Sequence, residues 1–128
     1  MTFRFNDGGR LEAGYKGTAR DCVARALSIA TGINYSIIYS ELSEANKSFC
    51  GKKSARNGLN KKAYEPIFQK YGFKWNKALI FAGRKARCND LTGIVIAKQA
   101  HHVVAVIDGM PNDIWDSSEK MVYGYWAK

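Results

Sequence analysis

The amino-acid sequence predicts an α+β fold in which N-terminal helices pack on a C-terminal antiparallel sheet, and two observations carry that prediction. Between Asp21 and Tyr71 apolar residues recur at helical spacing, with glycines where helices would stop. From Phe73 onward β-branched and aromatic residues gather in short runs separated by turn residues. Helical stretches followed by strands mark a layered α+β domain rather than alternating βα units.

Taken in order, the first twenty residues, with Gly8-Gly9, Gly14 and Gly17, read as an irregular arm. From Asp21, the residues Val23, Ala26, Leu27 and Ala30 line one helical face and Gly32 supplies a stop, giving a helix over roughly residues 20–31. A second helix over about residues 35–46 carries Ile37, Ile38, Tyr39, Leu42 and Ala45, with Asn34 or Ser36 as its cap. Lys47 to Gly58 has no clear period and reads as a mobile basic loop. A third helix from about Asn60 to Tyr71 buries Ala63, Tyr64, Ile67 and Phe68, and Gly72 closes it. The expected strands are Phe73–Asn76, Gly93–Ala97, His102–Ile107, Asp113–Trp115 and Met121–Trp126, with turns at 108–112 and 117–120.

A chain of 128 residues, 46% hydrophobic and 24% charged, suits one domain over 1–128 with a sizeable core. Met1–Asp7 lacks the apolar segment of a signal peptide and no later run is long enough to span a bilayer, so a cytoplasmic protein without membrane contact is expected. The three cysteines, Cys22, Cys50 and Cys88, are odd in number and widely spaced, which argues against a disulfide framework or a zinc knuckle. No metal or cofactor is expected. A net charge of +9 favours acidic partners, whether nucleic acid, protein or peptide. Much of the excess lies in Lys47, Lys52, Lys53, Arg56, Lys61 and Lys62 and in Arg84, Lys85 and Arg87, and the loop from Lys47 to Gly58 would steer an acidic substrate.

Cys22 falls in the first turn of the first helix, where the positive end of the helix dipole stabilises a thiolate. Cys50 and Cys88 have cationic sequence neighbours but no histidine nearby and read as ordinary cysteines. The two histidines, His101 and His102, are adjacent at the start of a strand, so they face opposite sides of the sheet and one of them can meet the helix start. Both faces of that strand are apolar, so alternation does not choose between them. A thiolate–imidazole pair also needs a group that orients the ring, for which Asp108, Asn112, Asp113 and Asp116 are candidates. Asp108 suits an Asp-Gly turn, whereas Asp116 ends the expected strand Asp113–Trp115, from which a carboxylate reaches back to a neighbouring histidine. Trp115 or Trp126 would shield that contact from water.

Gly14–Ala26 with Ala30-Thr31-Gly32 and Tyr35, His102–Gly109, Asp113–Asp116 and Val122–Trp126 together resemble small phage and bacterial proteins of the papain-like cysteine peptidase superfamily. The likeness spans nearly the whole chain and is weakest in the basic middle. It implies a papain-like α+β fold, placement in the host cytoplasm if the chain is phage-encoded, and a peptide or protein substrate. Cys22 would be the nucleophile, His102 the general base and Asp116 the orienting acid, cleaving a peptide, isopeptide or related amide through a thioester. Papain relatives place a glutamine several residues before the cysteine to bind the oxyanion, where this chain has Lys16, Gly17 and Thr18. The donors expected instead are the Cys22 N–H and one upstream group, with Gln99 as an alternative. Deamidation and acyl transfer use the same groups. A rival function is a basic module binding nucleic acid or acidic protein on an inactive scaffold of this kind.

Overall fold

The computed structural model describes residues 3–9, 22–50, 61–77, 80–81, 84–99, 102–118 and 120–128. Its elements are β1 (Arg4–Phe5), α1 (Cys22–Thr31), α2 (Tyr35–Cys50), α3 (Lys61–Lys70), β2 (Lys74–Lys77), β3 (Ile80–Phe81), β4 (Arg84–Lys85), a 3-10 turn at Cys88–Asp90, β5 (Ile94–Gln99), β6 (His102–Ile107), β7 (Met110–Asp113) and β8 (Gly124–Ala127). The architecture is α+β: the described residues form three helices and a six-stranded sheet of order β1-β7-β6-β5-β8-β2, with a separate β3–β4 ribbon.

Local chemistry sets the helix boundaries. In α1 the buried stripe is Val23, Ala26, Leu27 and Ala30. Gly32 at φ 76 then takes the left-handed conformation that a side chain would strain, and its N–H donates to Ser28 O at 2.9 Å. Asn34 caps α2, its Oδ1 accepting the Ser36 N–H at 2.8 Å. The helix runs on to Cys50, past the point at Lys47 where a loop was expected, because no glycine or proline interrupts the stretch before Gly51. The rest of that loop, residues 51–58, and the expected helix start at Asn60 lie outside the described residues. At the end of α3 the Phe73 N–H returns to Phe68 O at 3.0 Å around Gly72 at φ 90.

Both faces of the sheet are covered. Val103, Ala105, Ile96 and Trp126 join the helices in one apolar cluster, while Val104, Val106, Val95 and Ala97 pack with Ala86, Cys88, Leu91 and Val122 in another. Two-sided burial is why the alternation along β6 carries no sign of which face meets the helices.

Three expectations are corrected. The sheet is mixed rather than wholly antiparallel, because Arg4–Phe5 in the arm expected to be irregular pairs parallel with β7, Phe5 opposite Asp113. The turn expected over 108–112 has only Asp108 and Gly109 at its centre, both with positive φ (49 and 85), the combination of a two-residue type I′ hairpin. The strand expected at Asp113–Trp115 is therefore Met110–Asp113, and Pro111 lies in it opposite Val106, just before the stretch paired with β1. Strand ends elsewhere move by one to three residues, with the last strand beginning at Gly124 instead of Met121. Among the described residues no helix is long and apolar enough to cross a membrane.

Antiparallel pairing of β6 with β7 sets the first residue of β6 beside the last of β7, and α1 lies against β6. The chemistry-bearing residues gather at that end of the sheet.

Candidate active site

Cys22 is the first residue of α1, His102 the first of β6 and Asp113 the last of β7. His102 Nε2 and Asp113 Oδ2 are 2.5 Å apart, with both side chains almost fully buried. With Nε2 engaged, Nδ1 is the ring nitrogen left for the Cys22 thiol, to which His102 is hydrogen-bonded. By alternation His102 shares the face of Val104 and Val106, opposite the helices. It meets Cys22 because it begins the strand, where the sheet ends and either face is within reach.

Burial acts to raise the Cys22 pKa, but it is outweighed. The hydrogen bond and charge of His102, a hydrogen bond from the Val103 backbone N–H and the charge of Arg25 together lower it from its ordinary 9.0. His102 moves the opposite way: burial would depress it, yet the hydrogen bonds to Asp113 and Cys22, and the charges of both, raise it to about 9. Both shifts favour the thiolate–imidazolium pair, and they belong to the pair rather than to either group. Tyr64 of α3, 3% exposed, is near enough that the Cys22 charge adds to burial in raising its phenol pKa.

Asp113 is held from several sides. Its Oδ1 accepts the Ile114 N–H at 2.7 Å and lies 3.4 Å from Arg25 Nη2, a guanidinium on α1 as buried as the acid. Its backbone carbonyl accepts the Asn6 N–H at 2.8 Å, so the N-terminal strand fixes the main chain of this residue. Trp115 packs against the imidazole at a tilt of 45° with ring centroids 4.8 Å apart, and Lys120 Nζ sits 5.3 Å from the indole centroid. Of the two tryptophans proposed as shields, Trp115 covers the histidine. Trp126 packs in the core against Phe68 and donates to Glu65.

The structure thus brings Cys22 and His102 together, but the carboxylate that meets the ring is Asp113 and not Asp116. Asp116 has its Oδ1 on the Ser118 N–H at 2.9 Å and serves the turn. The hairpin register explains the difference. Pairing Ile107 with Met110 and Ala105 with Asn112 carries Asp113 opposite Val104, diagonal to His102 on the same face. The signal was in the sequence, since Asp-Gly between apolar runs is the strongest two-residue hairpin mark and it sets that register.

The other candidates have different work. Asp108 accepts the Gly93 N–H at 3.1 Å beside the hairpin turn, and Asn112 donates to Met110 O at 3.0 Å. Gln99 is fully buried and its amide donates to Ser117 O at 3.0 Å, so it is not the oxyanion donor that its place in the sequence suggested. Lys16, Gly17, Thr18 and His101 lie outside the described residues. Cys22 is the first described residue of α1, and among the described residues its N–H and those of the next residues have no acceptor within the helix, which suits them to an oxyanion. Cys88 is fully buried, and burial with the charges of Asp113 and Asp116 pushes its thiol up to about 12, an unreactive packing role. Cys50 closes α2. Among the described residues no three of His, Cys, Asp or Glu cluster in a way that would hold a metal ion.

Comparison with protein-family models, curated proteins and solved structures found no match for this chain.

Proposed function

We propose that this chain is a cysteine hydrolase of papain-like architecture that cleaves a peptide, isopeptide or related amide bond. The observation that carries the reading is the continuous chain of contacts Cys22–His102–Asp113 at the end of the sheet. Oppositely shifted pKa values within one buried pair are what a nucleophile and its acid–base partner require.

The Cys22 thiolate attacks the acyl carbon, forming a C–S bond and a tetrahedral oxyanion beside the N–H groups that open α1. Collapse breaks the C–N bond, and the His102 imidazolium gives its Nδ1 proton to the leaving amine. His102, now neutral, takes a proton from water as the water oxygen attacks the thioester. The acid is released, and thiolate and imidazolium are restored. Asp113 keeps Nε2 protonated and the ring turned toward sulfur throughout. An amine in place of water would give acyl transfer by the same steps. The net charge of +9 favours an acidic protein or peptide substrate.

The test is alkylation by iodoacetamide across pH. An activated Cys22 labels well below pH 8, and that selectivity disappears in His102→Ala. Labelling of Cys22 only as an ordinary thiol, with an apparent pKa near 8.5, would overturn the proposal.

A further inference from the structure

We infer that Gln99 is a positioning residue for His102, holding the 114–118 segment so that the Trp115 indole stays over the imidazole; the inference rests on the hydrolase reading above. Gln99 ends β5 directly opposite His102 across the hairpin they flank. It is fully buried on the face where Ala97, Val104 and Val106 pack, a position at which an aliphatic side chain would be the ordinary choice. A buried amide costs free energy unless its hydrogen bonds are made, and here the donor end makes them: Nε2 is 3.0 Å from Ser117 O and 3.5 Å from Cys88 Sγ. The acceptor end does not, since Oε1 has no hydrogen-bond partner among the described residues. Turning the amide over would set two acceptors against each other at Ser117 O, so the orientation is dictated by that carbonyl.

Ser117 O matters because the segment it anchors has left the sheet. β7 ends at Asp113, and no strand ladder holds Trp115, whose ring nevertheless covers His102. The same carbonyl accepts the Lys120 N–H at 3.0 Å, and Ser117 itself is 1% exposed, so this is the fixed point of the segment. Gln99 therefore joins the strand beside His102 to the segment carrying its cover. With the cover in place, water is kept from the His102–Asp113 hydrogen bond, which is stronger for being dry. Among the described residues the groups that act on the ring are Asp113 of β7 and Cys22 of α1, with Arg25 paired to Asp113, Tyr64 of α3 coupled to Cys22, Cys88 coupled to Asp113 and Lys120 against the Trp115 indole, and Gln99 adds no charge to them.

The experiment follows the ring resonances of His102 by NMR titration, identified by their loss in His102→Ala, together with alkylation of Cys22. In the wild type the ring stays protonated up to about pH 9. In Gln99→Met, which keeps the volume and loses the amide, we expect the weakened Asp113 contact to outweigh the relief from burial, so that the titration falls by about one pH unit and alkylation near pH 6 slows about tenfold. Trp115→Ala should do the same, and the double variant should be no worse than Trp115→Ala alone, as required if one residue acts through the other. Gln99→Glu keeps a donor to Ser117 O while its buried carboxyl is protonated and should resemble the wild type at low pH, which also serves should Gln99→Met fail to fold. A Gln99→Met protein with reduced thermal stability but an unchanged His102 titration would overturn the inference, as would additive effects. A wild type in which His102 titrates as a free imidazole would instead sink the hydrolase reading itself.

Discussion

Asp113 Oδ2 stands 2.5 Å from His102 Nε2 at the point where β7 ends and β6 begins, and the carboxylate is held there by the Ile114 N–H and by Arg25 as well. Neutralising the acid should be felt in catalysis and in stability together, because it also deprives the buried Arg25 of this ion pair. Asp113→Asn is expected to lower turnover or Cys22 alkylation at neutral pH by about 10²- to 10⁴-fold, since an amide cannot stabilise the imidazolium and lets the wrong tautomer form. Asp116→Asn should stay within about twofold of the wild type, because an amide oxygen still accepts the Ser118 N–H. Equal losses in the two variants would contradict the assignment of Asp113.

The pH profile follows from the two opposed shifts. Cys22 is lowered, so the thiolate is present above a pKa below 9.0 and is lost as pH falls through it. His102 is raised to about 9, so the imidazolium needed to protonate the leaving group is lost as pH rises through that value. Turnover should therefore be bell-shaped with its upper limb near pH 9, measured on any amide substrate that is accepted. A profile still rising at pH 10 would mean that the imidazolium is not required.

Arg25 is buried beside Asp113 and its charge helps to lower the Cys22 pKa. Arg25→Met leaves the acid without one of its cationic neighbours, and loss of one partner of a buried ion pair costs about 3–5 kcal/mol. Denaturant unfolding should show a loss in that range, and the alkylation midpoint of Cys22 should move upward. A stable Arg25→Met protein with an unchanged midpoint would remove Arg25 from the site.

The N-terminal strand pairs with β7, and just beyond it the Asn6 N–H donates to Asp113 O at 2.8 Å. Asn6→Pro deletes that donor and should cost about 1–3 kcal/mol along with a fall in turnover. Asn6→Ala keeps the donor and should cost less. If calorimetry and kinetics put the two variants level, the Asn6 N–H has no part in holding Asp113.

Gly109 is needed for the register that delivers Asp113. Its φ is 85, and a Cβ there would lie 3.3 Å from Asn89 O and 3.4 Å from Leu91 O. Gly109→Ala should destabilise the fold by about 1–2 kcal/mol from the left-handed backbone alone. Cys22 labelling should slow in parallel as the hairpin and Asp113 shift. An unaltered melting temperature would contradict the type I′ assignment.

Much of this protein was readable from residue order alone. The stripe Val23, Ala26, Leu27, Ala30 marked α1 with its glycine stop, and Asn34 or Ser36 marked the start of α2, of which the structure uses Asn34, because helix periodicity and caps are written in neighbours a few residues apart. The helix-to-strand change along the chain likewise determined the α+β class, and Cys22 stood out by type and position, whereas the choice of His102 over His101 rested on the family resemblance. What the order of residues left open depended on distant partners. Arg4–Phe5 becomes a strand only because β7 offers an edge far along the chain. Asp113 displaces Asp116 through the register of a hairpin, which moves a side chain toward or away from the ring with each residue of slip. Arg25 sits on the buried side of α1, where a charge looks misplaced until Asp113 arrives from the sheet to meet it. The line between the two lies in the range of the forces involved: local hydrogen bonds choose the elements, while packing between segments remote in sequence decides which charges share a low-dielectric site.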